Sequence, residues 1–285
     1  MTDTRTAPLS ALLVVAGTAL FGTVGTARVL GPAIPAPAIA AGRLGASALL
    51  LVAIALLLRR GSVLRTAPRH RWVLLAGLGQ AGFQVCFLAA VEEIGVATGT
   101  LIAIGCTPIA AGLMTRQVTR TWVLATALSV TGLVLLVGGD SGAVNLFGLS
   151  SALGAAVSYA TYIVATRRLV AGGMAGIGVL ATIFAVSAVL VAPFLVLTDP
   201  GSLWTGAGMA TVLYLAAVPT VLAYWLFNAG LRGVSASTAA TLGLTEPVVA
   251  AALGVLVLHE RLGPAGVVGA GLVLAGLFVL VTRQR

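Results

Sequence analysis

Lysine is missing from this 285-residue chain, and all sixteen basic residues are arginines. Charge of either sign is scarce: charged residues make up 8% of the chain, against 59% hydrophobic residues and a mean hydropathy of +1.12. No water-soluble core can use so much apolar surface. Catalytic and ligating side chains are equally thin. The two histidines, His70 and His259, and the two cysteines, Cys86 and Cys106, show no metal-ligand spacing. No metal and no other cofactor is therefore expected. Both cysteines fall within apolar segments, where thiols serve packing rather than disulfide formation. Gly139-Asp140-Ser141-Gly142 resembles a nucleophile turn, but nothing in the sequence brings a base and an orienting group to Ser141. The chain is not expected to be an enzyme. It has no Gly-x-x-x-x-Gly-Lys phosphate loop, and its longest polar connection, 59–71, leaves no room for an ATP-hydrolysing domain. The net charge of +9 comes from arginines dispersed through short connections, which suits anionic lipid headgroups and not nucleic acid.

Long apolar runs are what the chain has in abundance. Crossing a bilayer core of about 30 Å takes about 20 apolar residues as a helix. Ten segments qualify: 9–29, 38–58, 72–91, 96–115, 121–139, 146–166, 175–197, 205–229, 235–257 and 263–282. The expected fold class is therefore all-α integral membrane, with ten transmembrane helices. With the N-terminus placed in the cytoplasm, thirteen arginines share the cytoplasmic side: Arg5, Arg59, Arg60, Arg65, Arg69, Arg71, Arg116, Arg120, Arg167, Arg168, Arg232, Arg283 and Arg285. The other side keeps Arg261 beside Glu92, Glu93, Asp140, Asp199 and Glu260, while Arg28 and Arg43 lie in or at the edge of spans. Arginine resists translocation, so this bias predicts both termini in the cytoplasm.

Glycine numbers thirty-six, which permits close helix approach where lipid offers no hydrophobic drive for association. Gly95–Gly99 and Gly172–Gly176 have the four-residue spacing and read as packing pairs. Pro108, Pro219 and Pro247 fall well inside spans, where each removes a backbone hydrogen bond and frees a carbonyl; they read as hinge or packing points. Trp72, Trp122 and Trp204 sit at span boundaries, where an indole suits the headgroup layer. An internal repeat follows. FLAAVEEIGVATGTLIAIGCTP (87–108) parallels FNAGLRGVSASTAATLGLTEP (227–247), and TGLVLLV (131–137) parallels AGLFVLV (275–281). Both longer stretches pass from a phenylalanine through a short charged turn to an intramembrane proline. Five spans per half is an odd number, so residues 1–142 and 143–285 are expected to form two inverted five-helix repeats. Such repeats are a recurring design for alternating access around a midplane site.

Three stretches carry a resemblance to a known family: APAIAAGRLGASALLLVAIALLLRR (36–60), SALGAAVSYATYIVATRR (151–168) and the closing run 224–281, with its TEPVVAAALGVLVLHERL core. Over nearly its whole length the chain resembles a ten-span, EamA-type member of the drug/metabolite transporter superfamily. It departs from the pattern at Phe21 and Tyr159, where tryptophans are expected, and at TRQVTR (115–120), where many members end span four on a glutamate. The resemblance implies secondary transport, often export, of small metabolites across a bacterial inner membrane, amino acids among them.

Polar groups inside spans are costly and mark candidate sites. Glu246, beside Pro247, has two readings: a proton-coupling or substrate-amine site, or a carboxyl bonded to a carbonyl that the proline frees. Arg43 either binds a carboxylate or neutralises Glu246, or else reaches toward the headgroups or stitches helices together. A second set shares helix faces: Gln80 with Gln84, Tyr159 with Tyr162, Tyr224 with Asn228 close to Trp225, and Thr238 with Thr241 and Thr245. Together with Phe21 these residues read as a substrate pathway of neutral hydrogen-bonding groups and ring faces, or else as interhelical packing. The scarcity of intramembrane arginine and the absence of lysine favour a neutral or zwitterionic solute. The sequence thus predicts an exporter of small amphipathic metabolites, foremost aromatic or neutral amino acids. A broad multidrug exporter and a non-transporting membrane scaffold are the alternatives. The expected partners are the solute and membrane lipid; a monomer suffices, and an oligomer is not excluded.

Overall fold

The computed structural model describes residues 6–59, 67, 70–116, 118–137, 145–174, 176–197, 201–259, 261 and 263–282. Arg5, Arg60, Arg65, Arg69, Asp140, Asp199, Glu260, Arg283, Arg285 and the 139–142 turn lie outside them. Among the described residues all regular structure is helical. In chain order the elements are α1 (Thr6–Phe21), α2 (Thr23–Leu30), α3 (Ala36–Leu57), α4 (Arg71–Ile94), α5 (Val96–Thr115), α6 (Arg120–Val137), α7 (Leu146–Ala171), α8 (Ile177–Val191) and α9 (Phe194–Leu197). There follow α10 (Gly206–Ala216), a π-helical segment (Ala217–Leu222), α11 (Ala223–Gly230), α12 (Ala236–Leu242), α13 (Thr245–Val257) and α14 (Pro264–Thr282).

Nine helical stretches among the described residues are long and apolar enough to cross a membrane, and the tenth expected span is the shorter apolar helix Arg120–Leu136. Four spans are compound. Span one breaks between α1 and α2 at Gly22, span seven at Pro193 between α8 and α9, span eight at its π-helical segment, and span nine at Gly243–Leu244.

The prolines explain two of these breaks. Pro219 has no N–H to donate to the carbonyl four residues back, and the Thr220 hydroxyl donates to that Leu215 carbonyl instead, at 2.7 Å. Pro247 likewise frees the Gly243 carbonyl, which accepts from the Glu246 backbone N–H at 3.0 Å.

The most extensive pairings lay α4 along α7, α6 along α14, α5 along α7, α3 along α8 and α1 along α11, while α12 sits on α5. Glycines make several of these contacts intimate. A β-carbon at Gly17 would come within 2.6 Å of the Ala223 carbonyl oxygen, one at Gly230 within 2.5 Å of the Ser10 oxygen, and one at Gly79 within 2.6 Å of the Ser158 oxygen. The pairs singled out by spacing do other work. Gly95 (φ 81) and Gly176 (φ 130) are turn residues with open space around them. Gly99 lies in ordinary contact with the preceding helix, and Gly172 terminates α7. Trp122 also departs from expectation: it is buried, and its ring fills the space over Gly112 instead of facing headgroups. Trp72 sits at a boundary beneath Arg71 and Arg168, and Trp204 is exposed.

The two ends of the bundle differ. At one, Arg167 donates to the Val234 carbonyl at 2.9 Å, close to the Arg71–Trp72–Arg168 stack. At the other, the Asn145 amide donates to Glu93 at 2.8 Å while its oxygen caps α7 by accepting from the Gly148 N–H at 2.7 Å. Asn145→Ala removes both bonds. It is expected to cost about 1 kcal/mol, as loss of an N-cap does, and a thermal melt of the purified protein checks it.

Candidate functional site

Five helices converge on a chain of aromatic rings at the centre of the bundle. Phe21, the last residue of α1, lies 4.8 Å from Tyr224 of α11, ring centre to ring centre. Tyr224 meets Phe184 of α8 at 4.9 Å and Tyr162 of α7 at 5.3 Å, both edge to face. Tyr162 runs parallel to Tyr159 at 6.0 Å, and Tyr159 touches Phe83 of α4 at 5.1 Å. Edge-to-face and offset arrangements of this kind are the favourable ones for rings.

Hydrogen bonds tie the phenols to amides across helices. The Tyr224 hydroxyl donates to Gln80 Oε1 at 3.1 Å, and the Tyr162 hydroxyl donates to Asn228 Oδ1 at 3.1 Å. Phe21, Gln80, Gln84, Tyr159, Tyr162 and Tyr224 are all buried. Two buried polar atoms of this region have no partner, Gln84 Nε2 and Thr245 Oγ1, and a third is Arg43 Nε.

The charged pair belongs to the same centre. Gly22, next to Phe21, packs on the backbone of Glu246: a β-carbon there would lie 2.7 Å from the Glu246 carbonyl oxygen. This places the start of α13 beside the Phe21–Tyr224 contact. Arg43 projects from α3 one turn before Ser47, whose hydroxyl reaches the Ala216 carbonyl of span eight at 3.4 Å. The Arg43 guanidinium, the Glu246 carboxylate and the Tyr224 phenol lie within one another's electrostatic range, yet arginine and glutamate form no direct ion pair.

Not every candidate joins this centre. Trp225 is 49% exposed and points to the periphery, because one residue along a helix turns the side chain by about 100° from Tyr224. Thr238 is held at the start of α12, accepting a 2.9 Å bond from the Ser235 cap. Thr241 bonds Thr126 of α6 at 2.9 Å and serves packing. Pro108 lies within α5, preceded by Thr107, which donates to the Ala103 carbonyl.

Phe83 and Phe184 were missed from the sequence. Phe83 shares a face with Gln80, Gln84 and Phe87, so the same helical spacing marks it. Phe184 sits in a uniformly apolar run that carries no signal. Two cavities lie off the centre at the arginine-rich end. One of about 50 Å³ runs between spans six, seven and eight beside Trp225 and Asn228; the other, about 500 Å³, opens by Arg167 and Arg232.

Comparison with known proteins agrees with this architecture. The EamA-like transporter family matches residues 146–282. The chain is 36% identical over 284 residues to the uncharacterized transporter YwfM of Bacillus subtilis, covering 96% of this chain and 94% of that one. It is 31% identical over 270 residues to the threonine/homoserine exporter RhtA of Escherichia coli K12, covering 93% and 88%. A crystal structure of a protein 21% identical in sequence superposes with a TM-score of 0.82 over 97% of this chain and 96% of the other, which establishes the shared fold. The chain belongs to the EamA-like transporter family of the drug/metabolite transporter superfamily, and it is a multi-pass transporter of the bacterial inner membrane, not an enzyme.

Proposed function

We propose that this protein exports small neutral amino acids, by alternating access between two inverted five-helix halves, 1–142 and 143–285, with both termini in the cytoplasm. A role in exporting metabolites or amino acids fits the family, and the similarity to a threonine/homoserine exporter favours amino acids over drug-like solutes. The observation that carries the reading is the central cluster, in which rings, amides and one charge of each sign are drawn from seven spans. Such a lining suits a small amphipathic zwitterion.

The helix pairings support the inverted halves. Exchanging each span with the one five later turns the three–six contact, α4 on α7, into the eight–one contact, α11 on α1. The same exchange leaves the five–ten, two–seven and four–nine contacts in place. Span nine is built in two pieces. Its half α12 packs on α5 and α7 and its half α13 packs on α2, while both halves share contacts with α1, α6 and α14; the break at Gly243–Leu244 gives the span a bend between them.

Uptake and counterflow in proteoliposomes holding only this protein test the function, using labelled neutral, aromatic, acidic and basic amino acids with and without a pH gradient. Saturable flux of neutral amino acids is expected. Flux confined to drug-like cations would replace the reading with multidrug export, and no flux from a folded sample would favour a scaffold. Topology has its own test: residues introduced at 59–71 are expected to label only from the cytoplasm, and labelling from outside would overturn the orientation. Glu246→Gln is expected to remove any gradient-dependent part of the flux; an unchanged gradient response would exclude Glu246 as a coupling group.

A further inference from the structure

We propose that Arg43 and Glu246 form a two-point clamp for the α-carboxylate and α-ammonium groups of a zwitterionic substrate, seated against the Phe21–Tyr224 rings with Gln84 and Thr245 completing its polar contacts. This rests on the amino-acid reading above and goes further, since it assigns each end of the substrate to a residue.

The physical argument starts from cost. A charge inside a bilayer is expensive unless paired, and a half-satisfied buried pair is worse than an apolar one. If Arg43 and Glu246 served only the fold, they would be expected in direct contact with their hydrogen bonds saturated. Instead the two residues, each partly buried, lie near one another without touching, and Arg43 Nε is buried with no acceptor. Gln84 Nε2, one turn from Gln80, is a buried donor with nothing to donate to, and Thr245 Oγ1, adjacent to Glu246, is also unpartnered. Buried polar groups in native proteins are normally bonded; Arg43 Nε and Thr245 Oγ1, on and beside the two charged residues, are not, and together with Gln84 Nε2 they offer polar contacts to a ligand.

The signs and chemistry select its class. A guanidinium is suited to a carboxylate through paired N–H donors, and the Glu246 carboxylate complements an ammonium. A molecule with one charge of each sign relieves both, whereas a lone cation or anion leaves the other residue uncompensated. Arg28, exposed at the end of α2, is the further cation felt by Arg43, and it favours the carboxylate end of the ligand on the Arg43 side. The Tyr224 hydroxyl is already committed to Gln80, so the rings contribute faces to the ligand's apolar part and the clamp supplies the ionic contacts.

The test is competition in proteoliposome counterflow. Labelled L-threonine, L-leucine and L-phenylalanine are each challenged with the parent amino acid, its methyl ester, which lacks the carboxylate, and its N-acetyl derivative, which lacks the ammonium. The wild type is expected to prefer the parent over either derivative by at least about 30-fold, the scale on which loss of one partner of a buried charge pair is felt. Arg43→Gln is expected to bind the parent correspondingly more weakly and to stop distinguishing it from the ester, while still rejecting the N-acetyl form. Glu246→Gln should show the mirror image. Arg43→Lys, which keeps a point charge, should retain part of the preference for acid over ester.

A wild type that transports amino acids but accepts ester and N-acetyl forms as readily as the parent overturns the clamp and leaves the transport function standing. Equal losses for all three compounds in both variants also overturn it, since that is what a purely structural pair would give. Absence of saturable flux for all three amino acids overturns the amino-acid reading and the clamp together. The wild-type comparison needs no variant, so misfolding of either mutant leaves the outcome decisive.

Discussion

Tyr224→Ala is expected to destabilise the protein severely and to extinguish selective flux, while Tyr224→Phe is expected to cost far less stability and to retain flux with altered selectivity. Tyr224 is the hub of the central cluster: its ring meets Phe21, Tyr162 and Phe184, and its hydroxyl holds Gln80. Truncating a buried aromatic to alanine costs about 3–5 kcal/mol through lost contacts and the cavity left behind. Gln80, only 1% exposed, would also lose its partner, which adds about 1–3 kcal/mol for an unsatisfied buried group. The phenylalanine variant keeps every ring contact and loses only the bond to Gln80, at the same cost of about 1–3 kcal/mol for the buried group left unpaired. Thermal melts followed by size exclusion in detergent measure the first effect, and counterflow with a panel of amino acids measures the second. A Tyr224→Ala protein that is folded and transports with unchanged selectivity would remove the ring cluster from the substrate pathway.

The second large effect is expected at the seam between α6 and α14. A β-carbon on Gly132 would stand 2.5 Å from the Gly269 carbonyl oxygen and 2.7 Å from the Val273 nitrogen, and one on Gly269 would stand 2.5 Å from both the Gly132 oxygen and the Leu136 nitrogen. These neighbours are backbone atoms, so no side chain can rotate away to make room. Gly132→Val must push two whole helices apart and breaks the dispersion contacts that hold helices together in lipid. Overpacking in a core costs about 1–3 kcal/mol where side chains can yield, and rigid backbone on both sides places this case at the upper end or beyond. The expected result is a collapse of the monodisperse fraction after extraction. Gly271→Val on the same helix, with open space around it, is the control and is expected to behave as wild type. Equal behaviour of the two variants would show that the seam is looser than its geometry.

Much of the architecture was legible in the chain because a bilayer imposes simple demands. Apolar length must match membrane thickness, and arginine must stay out of translocated loops, so spans can be counted from composition. Side-chain direction was legible where a helix repeats. Gln80 and Gln84, Tyr159 and Tyr162, and Tyr224 and Asn228 each share a face; the folded chain brings Gln80, Tyr159, Tyr162 and Tyr224 to the ring cluster, buries Gln84, and sets Asn228 at its edge, bonded to Tyr162. Proximity in sequence misled at Trp225, which follows Tyr224 but leaves the helix in another direction. Spacing misled at Gly95–Gly99 and Gly172–Gly176, because a four-residue interval is the same in a packing stripe and across a turn. Only φ and the neighbouring helix separate those two cases.

What the sequence by itself determined is the membrane, the number of apolar segments, the bias of charge between their ends and the kinship to a transporter family. The first three follow from the free energy of transferring each residue into lipid, which is set mainly by residue identity, and the kinship follows from the order of residues along the chain. Which residues meet is a tertiary matter. Phe184 comes from a featureless apolar run and Arg43 from a segment more than two hundred residues before Glu246. The ring hub and the two uncoupled charges arise only when distant helices cross, because neither composition nor periodicity encodes how far apart two helix faces come to rest.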